Sequence, residues 1–197
     1  MTPDCRYVRD IKSRSPIRYW LGLLVRLPLW LKTQRKIRHM RKCGAEVGND
    51  IGICANIMPP ASPCLHIGNH VSIHTSMLDV RAPLVIGDYV ILGDAVRIIT
   101  CSHNIDDPEW TFKTYGLEIE DYVWVATGSV ILPSCRRIGR GAVIGAGSVV
   151  VHDVPPMAVV SGNPAEIIRY RKCVHDALIP EKFLGGDLVS YVHARRM

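Results

Sequence analysis

Eight histidines, His39, His66, His70, His74, His103, His152, His175 and His193, are the side chains of this chain best suited to moving a proton near neutral pH, because the ordinary imidazole pKa lies close to it. A base of this kind serves a reaction in which a nucleophile sheds a proton as its new bond forms. His103 stands apart from the others. It lies in the mixed polar stretch Cys101–Glu118 (CSHNIDDPEWTFKTYGLE), where an otherwise regular pattern is interrupted, and loops leaving a regular scaffold are where function concentrates. Asp79, Asp106, Asp107 and Glu118 are the nearby carboxylates able to orient its ring, and the sequence does not choose among them. His66, His70 and His74 recur at a spacing of four. On a helix that spacing would make a metal-binding face. On short strands it scatters the three rings, which then read as surface or subunit-interface residues, and no metal site is expected.

The regular pattern that must position these groups begins at residue 47. A small aliphatic residue returns every six positions, often followed by Gly: Val47-Gly48 to Ile53, Ile67-Gly68 to Ile73, and Ile86-Gly87 to Leu92-Gly93 and Ile98. The series continues from Ile119 to Val125 and Ile131, then from Ile138-Gly139 to Ile144-Gly145 and Val150. Val71, Val90, Val96, Val123, Val143 and Val149 supply a second small aliphatic within the hexads. An amphipathic helix would show a spacing of three and four, and an alternating strand a period of two without punctuation. A period of six describes a short strand with one inward aliphatic and then a turn, at which Gly68-Asn69, Gly87-Asp88 and Gly93-Asp94 tolerate the required backbone. Three hexads close a triangular coil of about 18 residues, and stacked coils share one core. The competing βαβ reading needs helices between strands, and residues 47–160 hold none. The pattern predicts an all-β parallel solenoid, with bulges or corners at the Pro-rich Ala55–Leu65, near Asp79–Val85 and at Arg136–Arg137.

Composition agrees. The 197 residues are 48% hydrophobic and 21% charged, which excludes a disordered chain and leaves room for one domain with a short appendage. Aromatic residues are only 7%, so the core must be Val, Ile, Leu and Ala. Net charge is +6, but half of the Lys and Arg fall in residues 1–42 and most of the rest follow Arg136. The middle is nearly neutral, which excludes a nucleic-acid-binding face. Seven cysteines without a CxxC pair suggest reduced thiols in a cytoplasmic setting, most of them small core hydrophobes. No leader peptide is expected. Tyr19–Leu31 (YWLGLLVRLPLWL) is the most apolar stretch. It is too short to span a bilayer and is broken by Arg26 and Pro28. Its basic flanks predict either an interfacial membrane anchor or a helix pair packed on its own domain or on a partner subunit.

The strings ITCSH at 99–103, DYVWVATGSVILP at 121–133, IGRGAVIGAGSVVVHDVPP at 138–156 and VVSGNPAEIIR at 159–169 resemble the hexapeptide-repeat acyltransferases. The likeness covers roughly residues 44–172. It is nearest the maltose, galactoside and nodulation acetyltransferases and their colanic-acid (exopolysaccharide) branch. The resemblance implies a left-handed parallel β-helix, a homotrimer with active sites in clefts between neighbouring solenoids, acetyl-CoA as acyl donor and no metal. The handedness comes from the resemblance alone. His103 coincides with the family's catalytic histidine. Trp124, Ala126, Thr127 and Ala146 match positions along which the donor's pantetheine arm lies. Arg169 and Arg171 match basic positions for its phosphates, and His152 stands where a Lys is common. Related sugar acetyltransferases place an acceptor-binding Asn where this chain has Ile73-His74-Thr75, a departure that argues against a simple maltose or galactoside acceptor.

The expected organisation is a basic amphipathic segment 1–43 with helical character, a β-helix acyltransferase domain 44–165 with an inserted loop 101–118, and a basic tail 166–197. The tail is expected to form a short helix after Pro180 that covers the end of the solenoid. The expected activity is acetyl-CoA-dependent O-acetylation of a sugar hydroxyl in a surface polysaccharide, a glycolipid or its precursor, with His103 as general base. Trp110 would stack on the sugar, or else pin the loop to a neighbouring subunit, and Asp79 and Asp106 would bind the acceptor. Two other readings are N-acetylation of a nucleotide-linked amino sugar and a non-catalytic β-helix scaffold. The expected location is the cytoplasm, with peripheral contact with the inner face of the membrane through residues 1–42.

Overall fold

The computed structural model describes residues 5–175 and 178–197. The hexads wind into a parallel solenoid of three sheets. In the first sheet Val47, Ile67, Ile86, Ile119 and Ile138 stand in register, and a bridge from Ile138 to Val154 adds a sixth level. In the second, Ile53, Ile73, Leu92, Val125, Ile144 and Val160 form the matching column. The third sheet has three strands, with Ile98, Ile131 and Val150 in register and Leu78 bridged to Ile98. Its first level is missing where Pro59, Pro60 and Pro63 fall, since proline has no N–H to give a ladder. All three columns are buried in one core.

The second small position is buried at Val71, Val90, Val96 and Val123. In the later coils the buried residues are Ala142 and Ser148, while Val143 and Val149 are only half-buried, a one-residue offset from the expected pattern. The corner after the first sheet is a stacked ladder. Asn69 Oδ1 accepts from Asn49 N at 3.0 Å, Asp88 Oδ1 from Asn69 N at 2.6 Å, and Asp121 Oδ1 from Asp88 N at 2.9 Å. The next residue of each turn, His70, Tyr89 and Tyr122, takes a left-handed φ of 54°, 59° and 59°. Their rings stack on one another at 4.7 and 4.8 Å. Ring stacking and the Asx ladder offset the strain of placing non-glycine residues there.

Helix α1 (Arg6–Lys12) and helix α2 (Pro16–Lys42) precede the solenoid. The C-terminal half of α2 seats Ile37 and Met40 on the first coil, sealing that end of the core. Its N-terminal half meets α1 and a terminal helix α3 (Leu188–Arg196) in a second cluster that holds Val8, Ile11, Tyr191 and Ala194.

Four further expectations need correction. The inserted segment is a β-hairpin of Cys101–His103 against Phe112–Thr114, not an irregular loop, and Leu117–Ile119 already belongs to the first sheet. The tail begins as a strand, Ala165–Tyr170, antiparallel to Ala158–Gly162, so the sheet continues past residue 165. The remainder does not cover the last coil. Its short 3-10 helix Pro180–Leu184 returns to the first coils, where Gly52 leaves room for Glu181, and α3 joins α1 and α2. Of the cysteines, Cys5, Cys101 and Cys135 are buried, whereas Cys43 and Cys173 are exposed and Cys54 and Cys64 lie between. The thiols are therefore not mostly core residues.

Candidate active site

The hairpin departs where the third sheet turns toward the first. Tyr115 N donates to Thr100 O at 2.7 Å and closes its base. Arg136 holds the return strand, donating to Gly116 O at 3.2 Å and lying over the Tyr115 ring. His103 is exposed at the third position of the outgoing strand. Its Nδ1 lies 2.7 Å from the Trp110 carbonyl oxygen. A carbonyl only accepts, so Nδ1 donates, and in the neutral ring the lone pair then lies on Nε2. Nε2 is thereby the ring atom able to take a proton. Trp110 reaches this position with a left-handed φ of 50°, in a turn closed by Trp110 N donating to Asp107 O at 2.9 Å. Phe112 meets the His103 ring edge-on at 5.4 Å. None of the four carboxylates named as orienting candidates fills that role: the ring is oriented by main chain.

Asp79, expected at the acceptor, is engaged within the chain. Oδ1 accepts from Arg81 Nε at 2.8 Å and from Arg81 N at 3.2 Å. Oδ2 accepts from Arg81 Nη2 at 2.9 Å, Thr100 N at 3.0 Å and the Cys101 thiol at 2.8 Å. The Arg81 hydrogen bonds, more than any other contact, hold its carboxyl well below the usual carboxylate range. Burial and the Asp79 carboxylate push the Cys101 thiol up, against a nucleophilic role. Arg81 in turn lies over the Phe112 ring at 5.5 Å. Asp79 therefore anchors both hairpin strands: directly at Thr100 and Cys101, and through Arg81 at Phe112. Asp106 is exposed, and Asp107 caps its own turn by accepting from Glu109 N at 3.0 Å.

Of the residues matched to the donor, Trp124 and Arg169 lie on strands of the second sheet, Ala126, Thr127, Ala146 and Arg171 lie just beyond strands of that sheet, and His152 follows a strand of the third. Trp124 is 48% exposed and forms a wall common to two cavities. One, of about 300 Å³, includes Tyr122, Arg169 and Arg171. The other, of about 530 Å³, includes His74, Asp94, Thr127 and Phe183. Neither is lined by a hairpin residue. Arg169 is exposed, whereas Arg171 donates to Tyr122 O at 3.2 Å and to Gly141 O at 3.0 Å, tying two coils together. Ala126 is buried and both its main-chain groups are paired, N–H to Ile144 O and carbonyl to the Ser129 hydroxyl, which leaves it shape but no free hydrogen bond for a ligand. Ala146 and His152 are exposed at later corners. His74 sits at a cavity the sequence reading did not assign, and burial pushes its imidazole down toward the neutral form.

His66, His70 and His74 are separated as expected. His66 pairs with Glu46, His70 lies in the corner ladder beside Glu181, and His74 contacts Ser72 Oγ. Among the described residues no group of His, Cys, Asp and Glu could hold a metal ion.

Solenoid coils of six-residue strand-and-turn units, a His-bearing hairpin leaving them and a tryptophan-walled groove on one sheet together define a class of β-helix transferase scaffolds. The chain is similar to the hexapeptide-repeat acyltransferases. It is 25% identical over 177 residues to the galactoside O-acetyltransferase of Lactococcus lactis, covering 83% of this chain and 75% of that one. A Schizosaccharomyces pombe protein designated an acetyltransferase is 40% identical over 100 residues, and the chain spans 46% of its length. The crystal structure of a hexapeptide-repeat acetyltransferase from Vibrio cholerae superimposes with a TM-score of 0.64 at 27% identity, over 86% of this chain and 96% of that one. The Vibrio protein has also been solved with acetyl coenzyme A. No family model matches the chain.

Proposed function

We propose that the protein transfers an acetyl group from acetyl-CoA to a sugar hydroxyl of a surface polysaccharide, a glycolipid or its precursor. The observation that carries this reading is the His103 contact: Nδ1 lies 2.7 Å from the Trp110 carbonyl oxygen, which directs Nε2 to the acceptor on an exposed hairpin. Nε2 takes the proton of the acceptor hydroxyl as its oxygen attacks the thioester carbonyl. The tetrahedral intermediate then collapses, the C–S bond breaks, and the imidazolium returns the proton to the leaving thiolate. A thioester is already activated, so the acceptor is the partner that needs a base. Trp110, 59% exposed beside the imidazole, offers a ring face for a pyranose, and Asp106 on the same turn is free to bind a hydroxyl.

The donor would lie along the Trp124 wall, with the exposed Arg169 toward its phosphates. Trp124, Thr127 and Ala146 would line the arm, and Arg171 and His152 would flank it. Because no hairpin residue lines the two cavities at that wall, the base would reach the donor carried by an adjacent copy, which makes a homotrimer part of this reading. A cytoplasmic location, where acetyl-CoA is made, follows from the donor. Peripheral contact with the membrane rests on α2 alone and is independent of acetyl transfer.

His103→Ala is expected to lower kcat by roughly 10²–10⁴-fold while acetyl-CoA still binds, measured by thiol release and by calorimetric titration of the donor. Unchanged turnover would remove His103 from the mechanism.

A further inference from the structure

Helix α2 carries an apolar face that none of the described residues covers. Over its N-terminal half Ile17, Trp20, Leu21, Leu24, Val25 and Leu27 are 44–74% exposed, and Leu31 ends the series at 44%. At 3.6 residues per turn they fall on one arc of about 160°, running about 21 Å along the axis. The opposite side is occupied, since Tyr19 and Leu23 pack against the α1–α3 cluster. Four turns of contiguous apolar surface on a soluble face are a binding surface in waiting.

The charge around this arc says what covers it. Pro16–Lys42 contains eight Lys and Arg and no Asp or Glu. Directly beyond Leu31 the same face continues as exposed Lys32, Arg35, Arg38 and Lys42. A second copy laid along α2 would bring cations onto apolar residues or onto cations, with no carboxylate on the helix to neutralise them. An anionic bilayer supplies hydrocarbon for the first segment and phosphate for the second. Among the described residues no helix is long and apolar enough to cross a membrane, so the geometry is that of a helix lying in the interface.

We infer that α2 docks this protein on an anionic lipid surface, apolar arc inserted and the Lys32–Lys42 face on the headgroups. The test is vesicle flotation with the full-length chain, with sedimentation velocity on the same samples. The protein is expected to float with phosphatidylcholine vesicles containing about 30 mol% phosphatidylglycerol and to lose on the order of tenfold in partitioning on neutral vesicles or in Arg35→Glu/Arg38→Glu. Leu24→Glu/Leu27→Glu, at exposed positions that leave the fold intact, is expected to abolish flotation without changing the sedimentation coefficient. Three results would overturn the inference. The wild type could fail to float on anionic vesicles, the Leu24→Glu/Leu27→Glu variant could float equally well, or that variant could dissociate an assembly that the wild type forms, which would assign the arc to a second copy. Soluble-acceptor turnover in the same variant separates this outcome from failure of the transferase reading.

Discussion

The imidazole of His103 is set up by a main-chain carbonyl, and this is the part of the site least visible in the chain. Its position could be found, because it opens the one long break in the hexads. Its partner could not, because Trp110 contributes an oxygen that every residue has, and only the left-handed turn at Trp110 brings that oxygen within 2.7 Å. Asp79 shows the same limit in another form. It was legible as a carboxylate near the site, but its two oxygens serve Arg81, Thr100 and Cys101. Arg81, two residues on, was the available signal that the charge was already paired. Asp79→Asn is expected to lower kcat, by loosening both hairpin strands, with little change in the KM for acetyl-CoA, whose proposed groove lies on the second sheet; steady-state kinetics decide it. The sign of the pH effect follows from the depressed carboxyl. Its stabilising contribution is present above the unfolded pKa near 4 and is lost as pH falls toward the folded value. The stability difference between wild type and Asp79→Asn should therefore shrink below about pH 4, as denaturant melts across that range would show.

At the scale of elements, the aliphatic hexads specified the sheets almost without help, because a single inward residue per six leaves one way to stack them. The prolines at 59, 60 and 63 likewise account for the short third sheet. What stacks the coils at their corner is the Asn49–Asn69–Asp88–Asp121 ladder, readable in hindsight as the Asx following Gly48, Gly68 and Gly87, with Asp121 at the same corner after Glu120. Asp88→Ala removes the acceptor for Asn69 N and leaves that N–H in a part-buried turn. A loss of about 1–3 kcal/mol is expected in equilibrium unfolding. The destination of the tail was not legible, since docking of Pro180–Leu184 depends on a surface 110 residues earlier in the chain. There Glu181 is fully buried, with Oε1 accepting from the Ser190 hydroxyl at 2.9 Å and lying 3.4 Å from His70 Nδ1, while Oε2 has no hydrogen-bond partner among the described residues. The hydrogen bond to Glu181 leads the effects that raise the His70 pKa, and burial opposes it. A raised histidine stabilises fully below its unfolded pKa near 6.5 and ceases to do so as pH rises through the folded value. Hydrogen-exchange protection of residues 180–196 is thus expected to fall between pH 6 and 8 once intrinsic exchange is corrected for. His70→Ala should abolish that dependence.

For the whole molecule, the solenoid places its two candidate site features on two faces. The third-to-first-sheet corner carries His103, and the second sheet carries the tryptophan-walled groove. Composition foretold the scaffold, with few aromatics and a neutral middle, and located the basic charge at the ends. It could not show that the N-terminal helices and the tail meet, because Tyr7 and Arg26 reach Asp187 only in the folded chain, at 2.6 and 3.0 Å. The central claim is that this assembly moves an acetyl group onto oxygen through His103. It is tested most directly by incubating the protein with acetyl-CoA and a panel of nucleotide sugars, amino-sugar nucleotides and bacterial oligosaccharides, following thiol release and product mass, with His103→Ala alongside. The account predicts one acetyl group added to an acceptor, removed by mild alkali, and formed orders of magnitude more slowly by the variant. An alkali-stable acetyl group on an amino sugar, or equal product from His103→Ala, would contradict it.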